Sequence, residues 1–296
     1  MLLVVTLVAR DLDALEESLP LALEAVAATG SPVKHMAVLG DGAADLIVDG
    51  EGPEALRFHV GRALERKAID FCAQPAEGRA KRLLIADMDS TIIGCECLDE
   101  LADFAGVKTQ IAEITARAMR GEIAFEDALR QRVAMLAGLE LAALTRTFDE
   151  RVRLNDGART LVRTMSAHGA RCVLVSGGFS FFAQRVAQAA GFSAHRANTL
   201  IDDGHALTGD VAEPILGREA KLAALREEAA ELGLDLSQTL AVGDGANDLA
   251  MIEAAGLGVA WRAQPIVAAA ADARVDHADL TALLYFQGYG ADAFVA

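Results

Sequence analysis

The chain has 296 residues, 53% apolar and 24% charged, which is enough for two domains of about 150 residues each, with real cores. Its 27 Lys and Arg face 43 Asp and Glu, a formal net charge of −16; this excludes a broad cationic surface for nucleic acid or anionic lipid, so an anionic substrate needs a local positive site. No apolar run reaches the roughly 20 residues of a spanning helix, and the first residues, MLLVVTLVARD, offer neither a basic leader nor a cleavage site. A soluble cytoplasmic protein is expected, without nucleic-acid or membrane partners. Cys72, Cys95, Cys97 and Cys172 are too few for a disulfide scaffold, and Cys95-Glu96-Cys97 has no second cluster to complete a zinc site, so reduced thiols are expected.

Residues 2–9, LLVVTLVA, predict a strand, after which Leu12, Leu15, Leu19, Leu23 and Val26 recur at helical spacing. Segments 33–39 and 44–48 flank Gly40-Asp41-Gly42, residues that tolerate positive φ and so predict a hairpin turn. Pro53 stands where a helix can begin, and Leu56, Val60, Leu64, Ala68 and Phe71 repeat at helical steps, with Gly78 near the exit. The first 80 residues are therefore expected to read βαββα. A new apolar run, 83–86, ends in Asp87-Met88-Asp89-Ser90-Thr91, and from Glu96 to about Arg153 the pattern is helical. Strands over 171–175, 239–242 and 257–261 then alternate with helices over 179–190, 218–232 and 246–254, the signature of a parallel α/β sheet. The helical block is thus an insertion after the first strand of that sheet. The acidic stretch Asp272 to Asp279 is expected at an exposed edge of the last α/β unit, and Glu227, Glu228 and Glu231 on a solvated helix face.

Four fragments stand in order at strand ends or helix starts: Asp87-Met88-Asp89-Ser90-Thr91, Ser176-Gly177-Gly178, Lys221 and Gly243-Asp244-Gly245-Ala246-Asn247-Asp248. The carboxyl ends of parallel strands share one edge, so Asp87, Ser176 and Asp244 are expected to meet there. Carboxylates crowded at one point repel, and a hard divalent cation with oxygen preference, Mg2+ above all, relieves that repulsion while leaving room for a phosphate oxygen. Residues two apart on an extended segment face the same side, so of Asp87 and Asp89 one can act as nucleophile and the other as proton donor and acceptor. The Ser176 hydroxyl, the N–H groups around Gly177 and Gly178 and the Lys221 ammonium would balance charge on a transferring phosphoryl group. Asp248, one turn beyond Asp244, would hold Lys221 or a metal-bound water. No Gly-rich loop ending in Gly-Lys-Ser/Thr is present, which argues against an ATP-dependent P-loop enzyme.

This ordered set resembles the haloacid dehalogenase superfamily. With Glu96, Ala118-Met119-Arg120-Gly121, Phe125 and Arg132-Val133 added, the stretch 83–285 is similar to the phosphoserine phosphatases of that superfamily. The resemblance implies an α/β fold over residues 81–296, a Rossmann-like core with a parallel sheet and a small helical (C1-type) cap at about 96–153. It implies Asp87 as nucleophile, Asp89 as general acid and base, and Mg2+ held by Asp87, the Asp89 backbone carbonyl and Asp244, with Asp248 behind them. Ser176, Gly177, Lys221 and Asn247 belong, on the same resemblance, to substrate binding, as do Glu96 for an ammonium, Arg132 for a carboxylate, and Met119 and Phe125 as a shield against water. Those charges suit an amino-acid phosphate. The implied reaction is hydrolysis of O-phospho-L-serine to L-serine and phosphate through an aspartyl-phosphate, the last step of serine biosynthesis. Transfer to an alcohol, action on another small phosphomonoester such as phosphohomoserine or phosphoethanolamine, and a non-catalytic amino-acid sensor stay open at this point. The βαββα pattern of residues 2–72, in a domain spanning 1–80, resembles the α+β ACT-like modules fused to amino-acid enzymes, which implies a dimerisation or positioning domain, a homodimer forming through it in the first case.

Overall fold

The computed structural model describes residues 1–119, 122–217 and 219–296; Arg120, Gly121, Arg218 and the side chain of Met119 lie outside the described set. Strand β1 (Leu2–Ala9) is buried from Leu3 onward. Its alternation serves two cores, Leu3, Val5 and Leu7 packing in one and Val8 in the other. Helix α1 (Leu12–Ala28) begins at Asp11, whose side chain accepts the Ala14 N–H at 3.0 Å. Strands β2 (Val33–Gly40) and β3 (Ala43–Asp49) form the hairpin that the Gly-Asp-Gly turn predicts.

Helix α2 (Glu54–Leu64) is shorter than its periodicity suggests, because Ile69–Pro75 forms a strand, β4, paired antiparallel with β1 from Leu3↔Pro75 to Ala9↔Ile69. Ala68 and Phe71 therefore do not continue the helix. A strand covered on both faces shows no clean alternation, so nothing in the apolar spacing separated it from the helix before it. The unit reads βαββαβ, not βαββα, with strand order β2-β3-β1-β4.

The parallel half begins at β5 (Leu83–Ala86), and the insertion follows as α3 (Cys97–Phe104), α4 (Lys108–Met119), α5 (Phe125–Ala134) and α6 (Leu141–Arg151). Helix α7 (Ala158–Ala167) leads to β6 (Arg171–Phe179), α8 (Ser180–Ala190) and β7 (Ala194–Asn198). A hairpin of β8 (Leu200–Asp202) and β9 (Leu207–Val211) comes next, without a counterpart in the sequence reading. Its connection grips the cap: Gly138 N–H donates to the Leu207 carbonyl at 2.8 Å and Leu207 N–H to that of Leu139 at 2.9 Å. The chain closes with α9 (Ala220–Glu231), β10 (Thr239–Gly243), α10 (Leu249–Ala254), β11 (Leu257–Trp261), α11 (Pro265–Ala270), β12 (Ala273–Val275) and α12 (Ala282–Phe286).

Ten strands share one sheet, in the order β2-β3-β1-β4-β12-β11-β10-β5-β6-β7. It is parallel from β12 to β7 and antiparallel from β2 to β4, and the halves meet at Phe71↔Arg274. The acidic stretch 272–279 is this seam rather than an exposed edge. Asp70 is 3% exposed and accepts N–H bonds from Asp276, His277 and Ala278, which explains why a carboxylate tolerates the place. Gln74 reinforces it by donating to the Phe286 carbonyl at 2.7 Å. Glu228 also departs from expectation: it is 2% exposed, with Arg171 and Arg196 each 2.7 Å away. Among the described residues, no helix is long and apolar enough to cross a membrane.

Candidate active site

Ala86 pairs with Val242 of β10 and with Leu174 of β6, so the three strands run level toward one edge. Asp87 leaves β5 there, its N–H donating to the Val242 carbonyl at 3.0 Å. Its Oδ1 accepts the Met88 N–H at 2.7 Å and faces Lys221 Nζ at 2.7 Å, whereas Oδ2 is clear of the described hydrogen bonds. The chain then makes one broad turn, Met88–Ile92, in which Ser90 takes a left-handed conformation with φ 56°. That turn brings the Asp89 carboxylate back toward β6: Oδ1 accepts the Cys97 N–H at 2.9 Å and Oδ2 the Ser176 hydroxyl at 3.3 Å.

Ser176 Oγ also accepts the Gly178 N–H at 2.8 Å, and a Cβ on Gly178 would stand 2.7 Å from Asp89 Oδ2, so that position has no room for a side chain. Lys221, in the first turn of α9, is 3% exposed and bridges Asp87 and Asp248, the latter at 2.6 Å. Asp248 is fully buried, and its Oδ2 accepts the N–H groups of Asp244 and Gly245 at 3.1 and 3.0 Å, which folds the loop after β10 around it. Asp244 Oδ1 accepts the Thr91 hydroxyl at 3.0 Å.

Burial pushes the Asp87 carboxyl well above its usual range, helped by the Asp248 charge and opposed by Lys221. Asp89 and Asp244 are raised too, first by burial, with Asp248 adding to the second. For Lys221, burial works against the charge, but Asp87 and Asp248 outweigh it and hold the ammonium above its ordinary range. One oxygen from each of Asp87, Asp244 and Asp248 lies within 4.8 Å of the others. Asp248 is already engaged on both oxygens, so the hard donors left for a cation are those of Asp87 and Asp244. A divalent metal fits that set, since oxygen donors suit a hard cation and its charge would favour the ionised carboxylates against their burial.

The cap closes over this edge from α5. The Phe125 ring lies 3.3 Å from where a Cβ of Gly177 would be, and Phe125, Ser176, Gly177, Lys221 and Asn247 line one cavity of about 10 Å³, room for a single water-sized group. Arg132, also on α5, points its guanidinium at the Ala128 carbonyl (3.2 Å) and the Thr115 hydroxyl (3.3 Å). Burial lowers its pKa, while the charges of Asp99 and Glu96 act the other way. Glu96 caps the start of α3 and accepts the Ser90 hydroxyl at 2.6 Å. Its residue surface reaches solvent, yet surrounding protein atoms and the Asp89 charge push its carboxyl up to about 7. Of the residues singled out from sequence, Arg120, Gly121 and the side chain of Met119 lie outside the described set.

Four further residues tie the site together without having been assigned a part from sequence: Ser90, Thr91, Asn155 and Asn198. Asn198 donates to the Gly177 carbonyl at 2.8 Å and accepts the Leu216 N–H at 2.7 Å, fastening the loop after Ser176 to the loop before Lys221. The position of Ser90 and Thr91 directly after Asp89 was the one available signal; Asn155 and Asn198 carried none.

Residues 84–253 match the family model for haloacid dehalogenase-like hydrolases. A phosphoserine phosphatase from Streptomyces coelicolor is 43% identical over 249 residues, 83% of this chain and 60% of that one. Another, from Streptococcus thermophilus, is 46% identical over 201 residues, 68% of this chain and 93% of that one. The chain thus spans about three-fifths of the longer relative and nearly all of the shorter. A crystal structure of a haloacid dehalogenase family hydrolase from Salmonella enterica superposes with a TM-score of 0.83 at 27% identity, covering 97% of this chain and 99% of the other.

Proposed function

Because the chain belongs to the haloacid dehalogenase-like hydrolases, we propose that it is a cytoplasmic, Mg2+-dependent phosphoserine phosphatase. The observation that carries this reading is the meeting of Asp87, Asp89 and Lys221 at one sheet edge, with Phe125 of the cap lining the cavity beside Lys221 and with Arg132 near enough to Glu96 for its charge to act on the guanidinium. Two named phosphoserine phosphatases at 43% and 46% identity support the substrate.

In this reading Asp87 Oδ2 attacks phosphorus, the bond from phosphorus to the serine oxygen breaks, and Asp89 protonates the leaving alkoxide. The same Asp89, now a carboxylate, takes a proton from the water that attacks the aspartyl-phosphate, releasing phosphate and restoring both carboxyls. Its raised pKa suits the first role, since an acid must hold its proton near neutrality. Ser176, held by the Gly178 N–H, takes the phosphoryl oxygens together with the Gly177 amide, Asn247 and Lys221, while Asp248 keeps Lys221 in place. Mg2+, held by Asp87, the Asp89 carbonyl and Asp244, would supply charge neutralisation and polarisation of the phosphate. Arg132 pairs with the substrate carboxylate and Glu96 with its ammonium, and Phe125, with Met119, excludes water. Residues 1–80 serve as an ACT-like dimerisation or positioning domain and 81–296 as the catalytic one; the βαββαβ order supports the first part. A monomer by light scattering of the full chain would overturn dimerisation.

Phosphate release from L-phosphoserine, phosphothreonine, phosphoethanolamine and a sugar phosphate, with Mg2+ and then with chelator, tests the whole. A clear preference for L-phosphoserine that chelator abolishes is expected. Equal rates across the panel would overturn the substrate assignment, and activity undiminished in chelator would overturn the metal.

A further inference from the structure

The segment by which the chain leaves for the cap and the one by which it returns are stitched together beside the metal carboxylates. Gly94 N–H donates to the Arg153 carbonyl at 3.2 Å, Ile93 and Leu154 form an antiparallel bridge, and Asn155 N–H donates to the Ile92 carbonyl at 2.9 Å. At the inner end of this ladder Asn155 Nδ2 donates to the Thr91 carbonyl at 2.7 Å, and the Thr91 hydroxyl donates to Asp244 Oδ1 at 3.0 Å. Thr91 is fully buried, so its hydroxyl has no water as an alternative partner. A β-branched side chain is stiff at its first torsion, so holding the Thr91 backbone holds the direction of its hydroxyl. A hydrogen bond on one oxygen of a carboxylate fixes its plane and leaves the other oxygen for a cation.

We propose that Asn155 is a positioning residue, which acts through Thr91 to orient Asp244 toward a divalent cation and so joins the cap hinge and the metal carboxylate in one hydrogen-bonded chain. This rests on Asp244 being a metal ligand. The Asn155 side chain reaches the Thr91 carbonyl, one step back from Asp244. Its effect reaches Asp244 because the ladder 92–94/153–155 lies between the cap helices and the turn that carries Asp89 and Thr91.

Mg2+ affinity by titration calorimetry on the full chain, with kcat and KM measured separately, tests the chain link by link. Asn155→Ala and Thr91→Val are each expected to weaken Mg2+ binding by about tenfold or more. The double variant should bind no worse than the weaker single, because both cuts fall on one path. Thr91→Ser keeps the hydroxyl but gives up the β-branch that stiffens it, so its affinity should fall between those of the parent and Thr91→Val, a partial rescue that a purely structural role does not predict. Melting temperatures without metal check that each variant folds, and Asn155→Ser, a shorter donor, replaces Asn155→Ala if the latter does not. Parent affinity in both Asn155→Ala and Thr91→Val, with Asp244→Asn no longer binding, would overturn the positioning role and leave Asp244 a ligand. Losses that add in the double variant would also overturn it. Parent affinity in Asp244→Asn would instead sink the metal assignment itself.

Discussion

Lys221 carries its charge where there is almost no water, and Asp248 is the partner whose removal isolates it. Asp248 serves two sets of donors at once, Lys221 through Oδ1 at 2.6 Å and the Asp244 and Gly245 N–H groups through Oδ2 at 3.1 and 3.0 Å. Asp248→Asn keeps the shape but has a single carbonyl oxygen, so its NH2 must face either the ammonium or the two amides. Each orientation loses a charge-assisted bond of about 1.5–3 kcal/mol and leaves a buried donor unpaired at about 1–3 kcal/mol more. That sum agrees with the 3–5 kcal/mol or so found when a buried ion pair loses one member. Relief of the repulsion between Asp248 and Asp87 offsets part of it, so the low end applies. About 3 kcal/mol should lower the melting temperature by roughly 6–12 °C in a chain of this size. Thermal unfolding followed by far-ultraviolet circular dichroism in chelator reads this directly. A melting temperature within roughly 2 °C of the parent would refute the reasoning, because Lys221 would then be held by Asp87 alone at no cost.

Asp87→Asn should abolish turnover and keep the far-ultraviolet spectrum, since an amide of nearly the same shape is a poor nucleophile; sustained multiple turnover in a phosphate-release assay would remove Asp87 from its role. Arg132→Ala should raise KM for phosphoserine by about 10–100-fold, the worth of one charge-assisted pair, and leave hydrolysis of an aryl phosphate unchanged. An equal loss on both substrates would mean that Arg132 supports the fold or the phosphate site. Glu96, pushed up to about 7 by burial and the Asp89 charge, loses its proton only as pH rises through that value. An ammonium needs the anion, so kcat/KM for phosphoserine should fall as pH drops below about 7, and Glu96→Gln should flatten that limb; superimposable profiles would exclude Glu96 from the site.

Asp87, Lys221, Asp244 and Asp248 were legible because each stands where a parallel strand ends or a helix begins, and topology alone carries such positions to one edge. Asp87, Ser176 and Asp244 are far apart in sequence and level in the sheet. What joins them was not legible. Asn155 and Asn198 act on backbone carbonyls 64 and 21 residues away, Thr91 and Gly177, and a lone polar amide in a loop or at a strand end gives no sign of which carbonyl it will meet. Strand β4 was hidden for another reason. Its residues are covered on both faces, by α2 on one side and by α12 on the other, so the period that distinguishes strand from helix is missing. The seam at Asp70 was unreadable as well, since an acidic stretch looks solvated until a buried carboxylate from elsewhere caps its amides.

The carboxyls of Asp87, Asp89 and Asp244 are all held above their usual range, with burial as the leading cause in each. Without a cation, the site therefore favours protons. A divalent metal bound by Asp87 and Asp244 requires the deprotonated forms, so at any pH where these carboxyls still hold protons its binding expels them. The sign follows: affinity for Mg2+ should rise with pH across the range in which those groups still carry protons, and flatten above it. Lys221 does not reverse this, because its own pKa is held above the ordinary range by the neighbouring carboxylates despite its burial. Calorimetric titration of Mg2+ in two buffers of different ionisation enthalpy measures the protons directly, as a difference in apparent binding heat. Equal heats in both buffers, together with an affinity that does not change with pH, would mean that these carboxylates are already ionised in the apo protein, and that Lys221 compensates their burial more completely than its distances of 2.7 and 2.6 Å suggest.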